Sequence, residues 1–594
     1  MRFYLHITLP LLFVHINTAY AGITGSFSTL PRGREYDFVI AGGGNAGVVL
    51  AHRLTENPRW KVLVIEAGPT HEDVFNSRVP GLVGSLQGTP YDWNYTTVPL
   101  PELNNRVLAL ARGHILGGSN SINGMFYTRG SSSDYDRWAR VTGDSGWSWK
   151  EILPYIYKTE KWTSPSDGHD DRGEYDPKYH STTGLVSVSI TGATQAIDAK
   201  VIQASKELGG EFQYNVDMNS GNLLGLGWTQ LTVGNGERSS AAASYLAPKY
   251  ANRKNLDVLV GHRVVKIVES GRSRGNAPVL TTVRFVQEAK PNAQAFEVTA
   301  SKEVLVCGGV FGTPQILHLS GLGDSAELKA KGIKPVVNLP DVGKNLTDQP
   351  MMFLTYALGI SETREPTREL QQSWLDQWVK EKRGPLTGPG NNHLAWMRIP
   401  EDSPIWEEYE DPASGRNTPH IELSFAGHGM HPIPAPTLNG LIIPLQPISR
   451  GSVTLKSDNI FDDPLIDIGF LKSSFDLFTF KQGIANLRRF YEAKAWSSWN
   501  LTLTTPVPDN DAELEEFIRN TIISAAHAGG TAAMSPRDAQ WGVVDPDLRV
   551  KKVKGLRVVD ASIMPFVPAG HTQAPVYAIA ERAADLIKRT WSGK

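Results

Sequence analysis

The chain has a single cysteine, Cys307, in 594 residues. One thiol cannot close an intrachain disulfide, so the fold must rest on packing. Its place in the apolar run EVLVCGG predicts a buried, inert strand residue. Long apolar runs are also missing. No uninterrupted stretch reaches the ~20 residues that a bilayer requires, which excludes a membrane-spanning helix and, with it, a membrane partner. Basic runs are absent and the formal net charge is −2, which argues against nucleic acid as a partner. No internal repeat or long low-complexity segment occurs, which excludes a repeat array. Metal-ligand clusters are scarce too. His428-x-x-His431 has suggestive spacing but no third ligand, so no metal site is expected.

What remains is ordinary in composition, 40% hydrophobic and 20% charged, as in a globular chain with a substantial core. The length predicts several lobes or one large two-part unit. The first residues, MRFYLHITLPLLFVHINTAYAG, combine Arg2, a short apolar run broken by His15 and Asn17, and the small-residue pattern AYA. This predicts a secretory signal over residues 1–21, cut after Ala21, and a secreted, extracellular product. N-x-[ST] acceptors at Asn94, Asn345 and Asn500 are then candidate N-glycan sites.

The segment YDFVIAGGGNAGVVLAHRLTE opens with an apolar run at Phe38–Ala41, suited to a buried parallel strand. A Gly-rich turn and a helical pattern follow, and the next strand, KVLVIEAG, reaches Glu66. The turn carries Gly42-x-Gly44-x-x-Gly47. G-x-G-x-x-G alone is weak in a chain with 56 glycines. Between a strand and a helix, with an acidic residue about 20 positions on, it is a dinucleotide fingerprint. The glycines, with Asn45 and Ala46 between them, let the backbone approach a pyrophosphate that a helix N-terminus favours, and Glu66 is placed for ribose hydroxyls. The fingerprint does not separate NAD from FAD. Secretion favours a tightly held flavin, because free nicotinamide cofactor is scarce outside cells.

Further along, LDVLVGHRVVKIVES and VLTTVRFVQEA read as strands around an exposed loop, and KEVLVCGGVFGTPQILHLSG as strand, Gly turn and helix. The middle, about 331–524, is rich in proline and tryptophan and reads as a second region laid on the first. A helix, DAELEEFIRNTIISAA, is predicted to lead directly to His527. A closing helix from about Ala574 has Val576, Ile579, Ala580, Ala583, Leu586 and Ile587 as its buried stripe. Trp374 and Trp378 fall four apart on one helix, a core-packing pattern. Gly271-x-Ser273-x-Gly275 matches a hydrolase elbow by letter only and lies in a strand-connecting loop.

Two stretches place a histidine among small residues, SAAHAGGTAAM around His527 and PAGHTQAP around His571. With GHILGGSNSINGMFYTRGS and GTPQILHLSGLG, they resemble the glucose–methanol–choline (GMC) family of FAD oxidoreductases from about Tyr36 to Lys588. The resemblance is nearest the fungal aryl-alcohol oxidases and pyranose, glucose and oligosaccharide dehydrogenases. It implies an α/β fold, α+β overall. A Rossmann-like FAD-binding domain is assembled from 36–155, 225–330 and 525–594. A substrate-binding domain from 156–224 and 331–524 is built on an antiparallel sheet. It also implies that Gly117, Gly118, Ser119, Asn123, Gly124, Val264, Asp560, Ala561 and Thr572 join the Gly loop in holding FAD. His527 is then the base that takes a hydroxyl proton while hydride passes to flavin N5, and His571 holds the hydroxyl. The helix after His571, with Pro575 in its first turn, would favour an anionic reduced flavin.

Departures from the family pattern are His114, Asn120 and Val310. Some members link FAD through a histidine in the second motif; Ile122 stands there, so the FAD is expected to be non-covalent. Aryl-alcohol oxidases carry rings at the positions of Gly124 and Ala526. Their loss predicts a wider pocket, lined by Gly124, Ala526, His527 and His571, that takes a carbohydrate substrate. A quinone or extracellular metalloprotein then serves as electron acceptor. An aryl-alcohol oxidase making hydrogen peroxide is the alternative.

Overall fold

The computed structural model describes residues 22–30, 33, 35–288, 294–363, 366–427 and 435–592. The predicted signal segment and the His428-x-x-His431 pair lie outside the described residues. Among the described residues no helix is long and apolar enough to cross a membrane, and no group of His, Cys, Asp and Glu has the makings of a metal site.

The chain builds two sheets, each with its own core. The first is an 8-stranded sheet in which Ile23–Thr24, Leu256–Leu259, Val62–Ile65, Tyr36–Ala41 and Phe296–Val306 follow in spatial order, all parallel. Leu556–Val558 adds in parallel to the end of the last, and the hairpin Pro278–Gln287/His262–Arg272 extends its start. Tyr36–Ala41 and Val62–Ile65 are apolar at nearly every position because helices cover both faces of a parallel sheet. Asn45–Leu54, Gly309–Leu319 and Gln573–Trp591 are three helices of this half, and Val48, Val49, Tyr577 and Ile579 sit in its core. In the last helix Leu586 is only half-buried, whereas the rest of the predicted stripe is buried.

The second is a 7-stranded antiparallel sheet. Its order is Leu501–Leu503, Pro350–Leu358, Thr437–Pro444, Ile421–Ala426, His393–Met397 and Gly225–Trp228, with Ile523–Ser524 pairing the start of Pro350–Leu358. Strict alternation decides its two faces. Met352, Leu354, Ile421, Leu423, Phe425, Leu438 and Ile442 pack under the helix Ser474–Tyr491, on Phe480, Leu487 and Phe490. The intervening Met351, Phe353, Glu422, Ser424, Asn439, Leu441 and Ile443 turn the other way and wall a cavity against the first sheet.

Three expectations are corrected. Gly225–Trp228, assigned to the first region by its predicted boundary at 225, hydrogen-bonds to His393–Met397 and belongs to the second sheet. The helix before His527 spans Asp511–Thr521 and does not reach it. The β-branched pair Ile522–Ile523 ends the helix, and Ile523–Ser524 continues as a strand, so His527 enters from a sheet edge. The first sheet also begins before Tyr36, at Ile23–Thr24. Trp378 is fully buried on the helix Arg368–Glu381, with its Nε1 donating to the Gly236 carbonyl at 2.7 Å, a packing role as its spacing suggested.

Candidate active site

A cavity of about 580 Å³ runs between the two sheets. It begins at the turn after the Tyr36–Ala41 strand, where Gly42, Gly44, Asn45 and Ala46 line it, with Glu66 at the end of the neighbouring strand. Gly118, Ser119, Asn123, Gly124, Val264, Asp560, Ala561 and Thr572 also line it, and its far end holds Ala526, His527 and His571. Two predicted cofactor residues do not face it. A Cβ on Gly47 would lie 2.0 Å from the Gly42 carbonyl oxygen, so this glycine serves the close seating of helix on turn. Gly117 sits at φ +92° against Ser121 and Ala242, behind the cavity wall.

The cradle fits a dinucleotide. The helices beginning at Asn45, Gly309 and Gln573 all present their N-termini to this cavity, so three partial positive charges and their free N–H groups converge on it. Glu66 accepts from the Gly43 and Gly68 N–H groups at 2.7 Å each, which fixes its carboxylate at the wall; burial pushes its pKa up to about 7. Asp560 accepts from Gly309 N–H at 2.9 Å and Thr313 Oγ1 at 2.6 Å, tying one helix start to the strand end at Val558. Arg238, which sequence reasoning missed, is buried and donates to the Asn123 carbonyl at 2.7 Å and its Oδ1 at 2.8 Å, holding the second glycine loop in place. Of the departures, Asn120 and Val310 line the cavity and His114 does not. Asn120 bridges Tyr577 and the Ala241 N–H, and His114 packs on Trp93, away from the cavity wall. Ile122 faces the cavity and has no nucleophilic atom.

His527 and His571 meet edge to face with ring centroids 4.4 Å apart. The surroundings of His527 set its tautomer. Gln349 Nε2 donates to the Leu445 and Pro568 carbonyls, which turns Gln349 Oε1 toward His527 Nδ1 at 2.7 Å. Nδ1 must therefore carry the proton, and Nε2 keeps its lone pair. The His527 backbone N–H donates to Asp348 Oδ1 at 2.7 Å, and Arg112 Nη1 donates to the Ala526 carbonyl at 2.8 Å. These bonds hold Ala526 at φ +63°, a left-handed conformation that costs a non-glycine residue about 1 kcal/mol and aims the histidine into the cavity. Burial, then the nearby His571 and Arg112, hold the His527 pKa well below the ordinary imidazole value. At neutral pH it is a neutral ring with an open Nε2, the state a general base needs.

His571 is fixed from three sides. Its backbone N–H donates to Thr128 Oγ1 at 2.8 Å, its Nε2 lies 3.0 Å from Glu422 Oε1, and Phe126 stacks on its face at 4.6 Å and 8°. Glu422 is 0% exposed, and its second oxygen, Oε2, has no partner among the described residues. Sequence reasoning missed Glu422 and Phe126. The signal for Glu422 was the alternation in IELSFA, which puts Ile421, Leu423 and Phe425 in a core and leaves an acid on the opposite face. Phe126 returns a ring to the pocket that the sequence reads as widened at Gly124. A Cβ on Gly124 would come within 3.0 Å of the Phe126 ring, so the small residue makes room for an aromatic two positions on.

A glycine-lined dinucleotide cradle that ends at one open imidazole nitrogen and one carboxylate-bound imidazole defines a cofactor-dependent oxidoreductase. Comparison with known proteins agrees. Family profiles for GMC oxidoreductases match residues 36–351 and 447–580, and the chain belongs to this family. It is 40% identical over 583 residues to pyranose dehydrogenase 3 of Leucoagaricus meleagris, spanning 95% of this chain and 94% of that protein. Among solved structures it is similar to an FAD-dependent oxidoreductase from Chaetomium thermophilum (TM-score 0.84, 29% identity, 94% of this chain and 100% of that one). It is also similar to a fungal aryl-alcohol oxidase (TM-score 0.82, 28% identity, 94% and 100%).

Proposed function

We propose that this protein is an FAD-dependent oxidoreductase that oxidises a hydroxyl of a mono- or oligosaccharide. One observation carries the reading: the open Nε2 of His527 and the His571–Glu422 pair face the same end of the cavity that begins at the glycine turn. FAD, bound non-covalently, supplies the hydride acceptor. The chain's own residues do the rest. His527 takes the hydroxyl proton at Nε2, and the resulting imidazolium keeps its Nδ1–H on Gln349. His571 and Glu422 orient the same sugar, and Oε2 of Glu422 accepts from a second hydroxyl. Ser424, Asn391 and Asn439 add polar groups to the wall, as a polyhydroxylated ring requires. The similarity to a pyranose dehydrogenase over nearly the whole chain supports a sugar substrate.

The rival is a benzylic alcohol with oxygen as acceptor, and Phe126 on His571 is the feature in its favour. The buried carboxylate beside that ring favours the sugar, because an aryl alcohol offers it no second donor. We assign the electron acceptor to a quinone or an extracellular metalloprotein, and the protein to the secreted class through its N-terminal signal-like segment. Anaerobic mixing with glucose, disaccharides and benzylic alcohols, followed by flavin absorbance, tests the reading. Steady-state rates with benzoquinone and with oxygen complete it. Sugars are expected to bleach the flavin fastest and benzoquinone to turn it over. Fast bleaching by benzylic alcohols with brisk peroxide release would establish the rival.

A further inference from the structure

A second set of ionisable groups lies behind His571, on the far side of the segment that holds it. Phe126 and Thr128 of that segment touch His571 directly, by ring stacking and by a hydrogen bond. The same segment ends in Arg129, which is 1% exposed. Arg129 Nη2 donates to Glu160 Oε2 at 2.5 Å, and Nη1 donates to the Asn219 carbonyl at 2.8 Å. The Asn219 side chain in turn receives Arg129 N–H at 2.7 Å and donates to the Tyr127 carbonyl at 2.9 Å. Segment 126–129 is therefore clamped between His571 and a buried charge cluster.

His180 completes that cluster. Its Nδ1 lies 2.8 Å from Glu160 Oε1 and its Nε2 2.7 Å from Asp217 Oδ2, and the three side chains are at most 1% exposed. Each ring nitrogen faces a carboxylate oxygen, so both must donate, and only the imidazolium has two N–H groups. With His180 charged, two cations, Arg129 and His180, balance two anions, Glu160 and Asp217. With it neutral, a net negative charge stays buried and one carboxylate loses one of its donors, a costly state. Two donors also approach the ring at longer range, Arg129 Nη2 at 3.3 Å from Nδ1 and Gln230 Nε2 at 3.4 Å from Nε2, and each is engaged more closely by a carboxylate. Gln230 Nε2, Asn219 N–H and Asp176 N–H all donate to Asp217, and Ser181 N–H donates to Glu160. Tyr175 and Trp162 pack on the ring, and Tyr127 and Tyr157 face Arg129.

We propose that His180, as an imidazolium bridging Glu160 and Asp217, is a positioning residue that sets the placement of His571 through Arg129 and segment 126–129. It acts on the geometry of the catalytic pair and touches neither substrate nor cofactor. Burial alone would lower the His180 pKa, but its bonds to Asp217 and Glu160 outweigh that and raise it. Burial raises Glu160, and Arg129 and His180 overcome this to hold it at about 2. The sign follows. A histidine raised on folding contributes fully below its unfolded value near 6.5, and the contribution is lost as pH rises through the raised folded value. Flavin reduction should therefore weaken on the alkaline side as the cluster loses its proton.

The inference rests on the reading of His571 as one of the catalytic pair, and the test separates the two. The rate of flavin reduction by glucose is measured from pH 5 to 10 in the holoenzyme and its Asp217→Asn, His180→Gln and His571→Ala variants. Removing one carboxylate weakens the hold on the proton, so Asp217→Asn is expected to move the alkaline midpoint down by about one pH unit or more, with the acid side unmoved. His180→Gln is expected to run about tenfold slower at neutral pH and to lose the alkaline limb. An unmoved midpoint in Asp217→Asn, or a wild-type profile in His180→Gln, overturns the proposal. Wild-type reduction in His571→Ala instead overturns the reading of the site. If the variants do not fold, histidine ¹⁵N resonances of the wild-type holoenzyme decide. His180 protonated on both nitrogens at pH 7.5 supports the proposal, and one bare nitrogen overturns it.

Discussion

Oε1 of Glu422 lies 3.0 Å from Nε2 of His571, across two different regions of the chain. The bond joins the wall of the antiparallel sheet to the loop before the C-terminal helix. It settles which nitrogen of His571 is taken and leaves one carboxylate oxygen unpartnered among the described residues, facing the cavity. Glu422→Gln keeps the shape and removes the charge. A charge-assisted hydrogen bond exceeds a neutral one by about 1–2 kcal/mol, so flavin reduction by sugar should slow by about 10-fold or more. Stopped-flow reduction measures it, and a wild-type rate would remove Glu422 from the site.

His527→Ala should retain FAD and slow reduction by about 10²–10⁴-fold, the usual contribution of a general base. Gln349→Leu should give a smaller loss, because it frees Nδ1 and lets the proton move to Nε2, where it blocks the base. Flavin absorbance reports both retention and rate.

The pH dependence follows from the depressed pKa of His527. A base works when unprotonated, so its activity is present above its pKa and lost as pH falls through it. With that value well below 6.5, kcat/KM for sugar should hold from pH 7 to below pH 6 and fall only at more acid pH. A fall centred at 6.5 would mean that the ring is solvated and ordinary.

Phe353 is 41% exposed on the cavity-facing side of the Pro350–Leu358 strand, at the wall shared with Leu441. An exposed ring at such a wall offers a flat face to a second sugar unit. Phe353→Ala should lower kcat/KM for disaccharides several-fold while leaving glucose nearly unchanged, measured as the ratio of the two.

Precipitation with trichloroacetic acid should leave FAD in the supernatant, since Ile122 has no atom to form a link. Yellow colour that stays with the pellet would contradict this.

The three acceptor asparagines differ in environment. All three sit at positive φ, and Asn94 and Asn500 are exposed. Asn345 is half-buried, with its Oδ1 accepting from Arg450 Nε at 3.2 Å. Glycopeptide mass spectrometry of the protein expressed through a eukaryotic secretory pathway should find sugar on Asn94 and Asn500 and none on Asn345.

Local pattern carried much of this into the sequence. The Gly42 turn, its flanking strand and helix, Glu66 and the buried Cys307 are short-range features, and each was legible because its signal lies within a few tens of residues. The His527/His571 pairing is long-range and was legible only through resemblance to a family. Glu422 and Phe126 were missed for different reasons: Phe126 reaches His571 from the loop after the second glycine motif, where no periodicity marks a face. For Glu422, which side chain reaches the site depends on which strand face turns inward, and the region from 331 to 524 was assigned an antiparallel sheet with no individual strand placed in it, so the alternation in IELSFA was not counted. Gly124 was read as an empty place because composition records the lost ring and not the neighbour that folds over it.

The two hydrophobic cores are separated by the cavity that runs between the sheets. A ligand lying there contacts both halves and binds only when they are docked, so its binding free energy adds to the cohesion between them. Stripping it should cost more than colour. Calorimetry of the apoprotein should resolve one melting transition into two, with the half that carries Pro350–Leu358, Ile421–Ala426 and Thr437–Pro444 parting from the other at the lower temperature. Long storage, dilution and mild acid would then inactivate by the same route, loss of the bound group followed by opening of the seam.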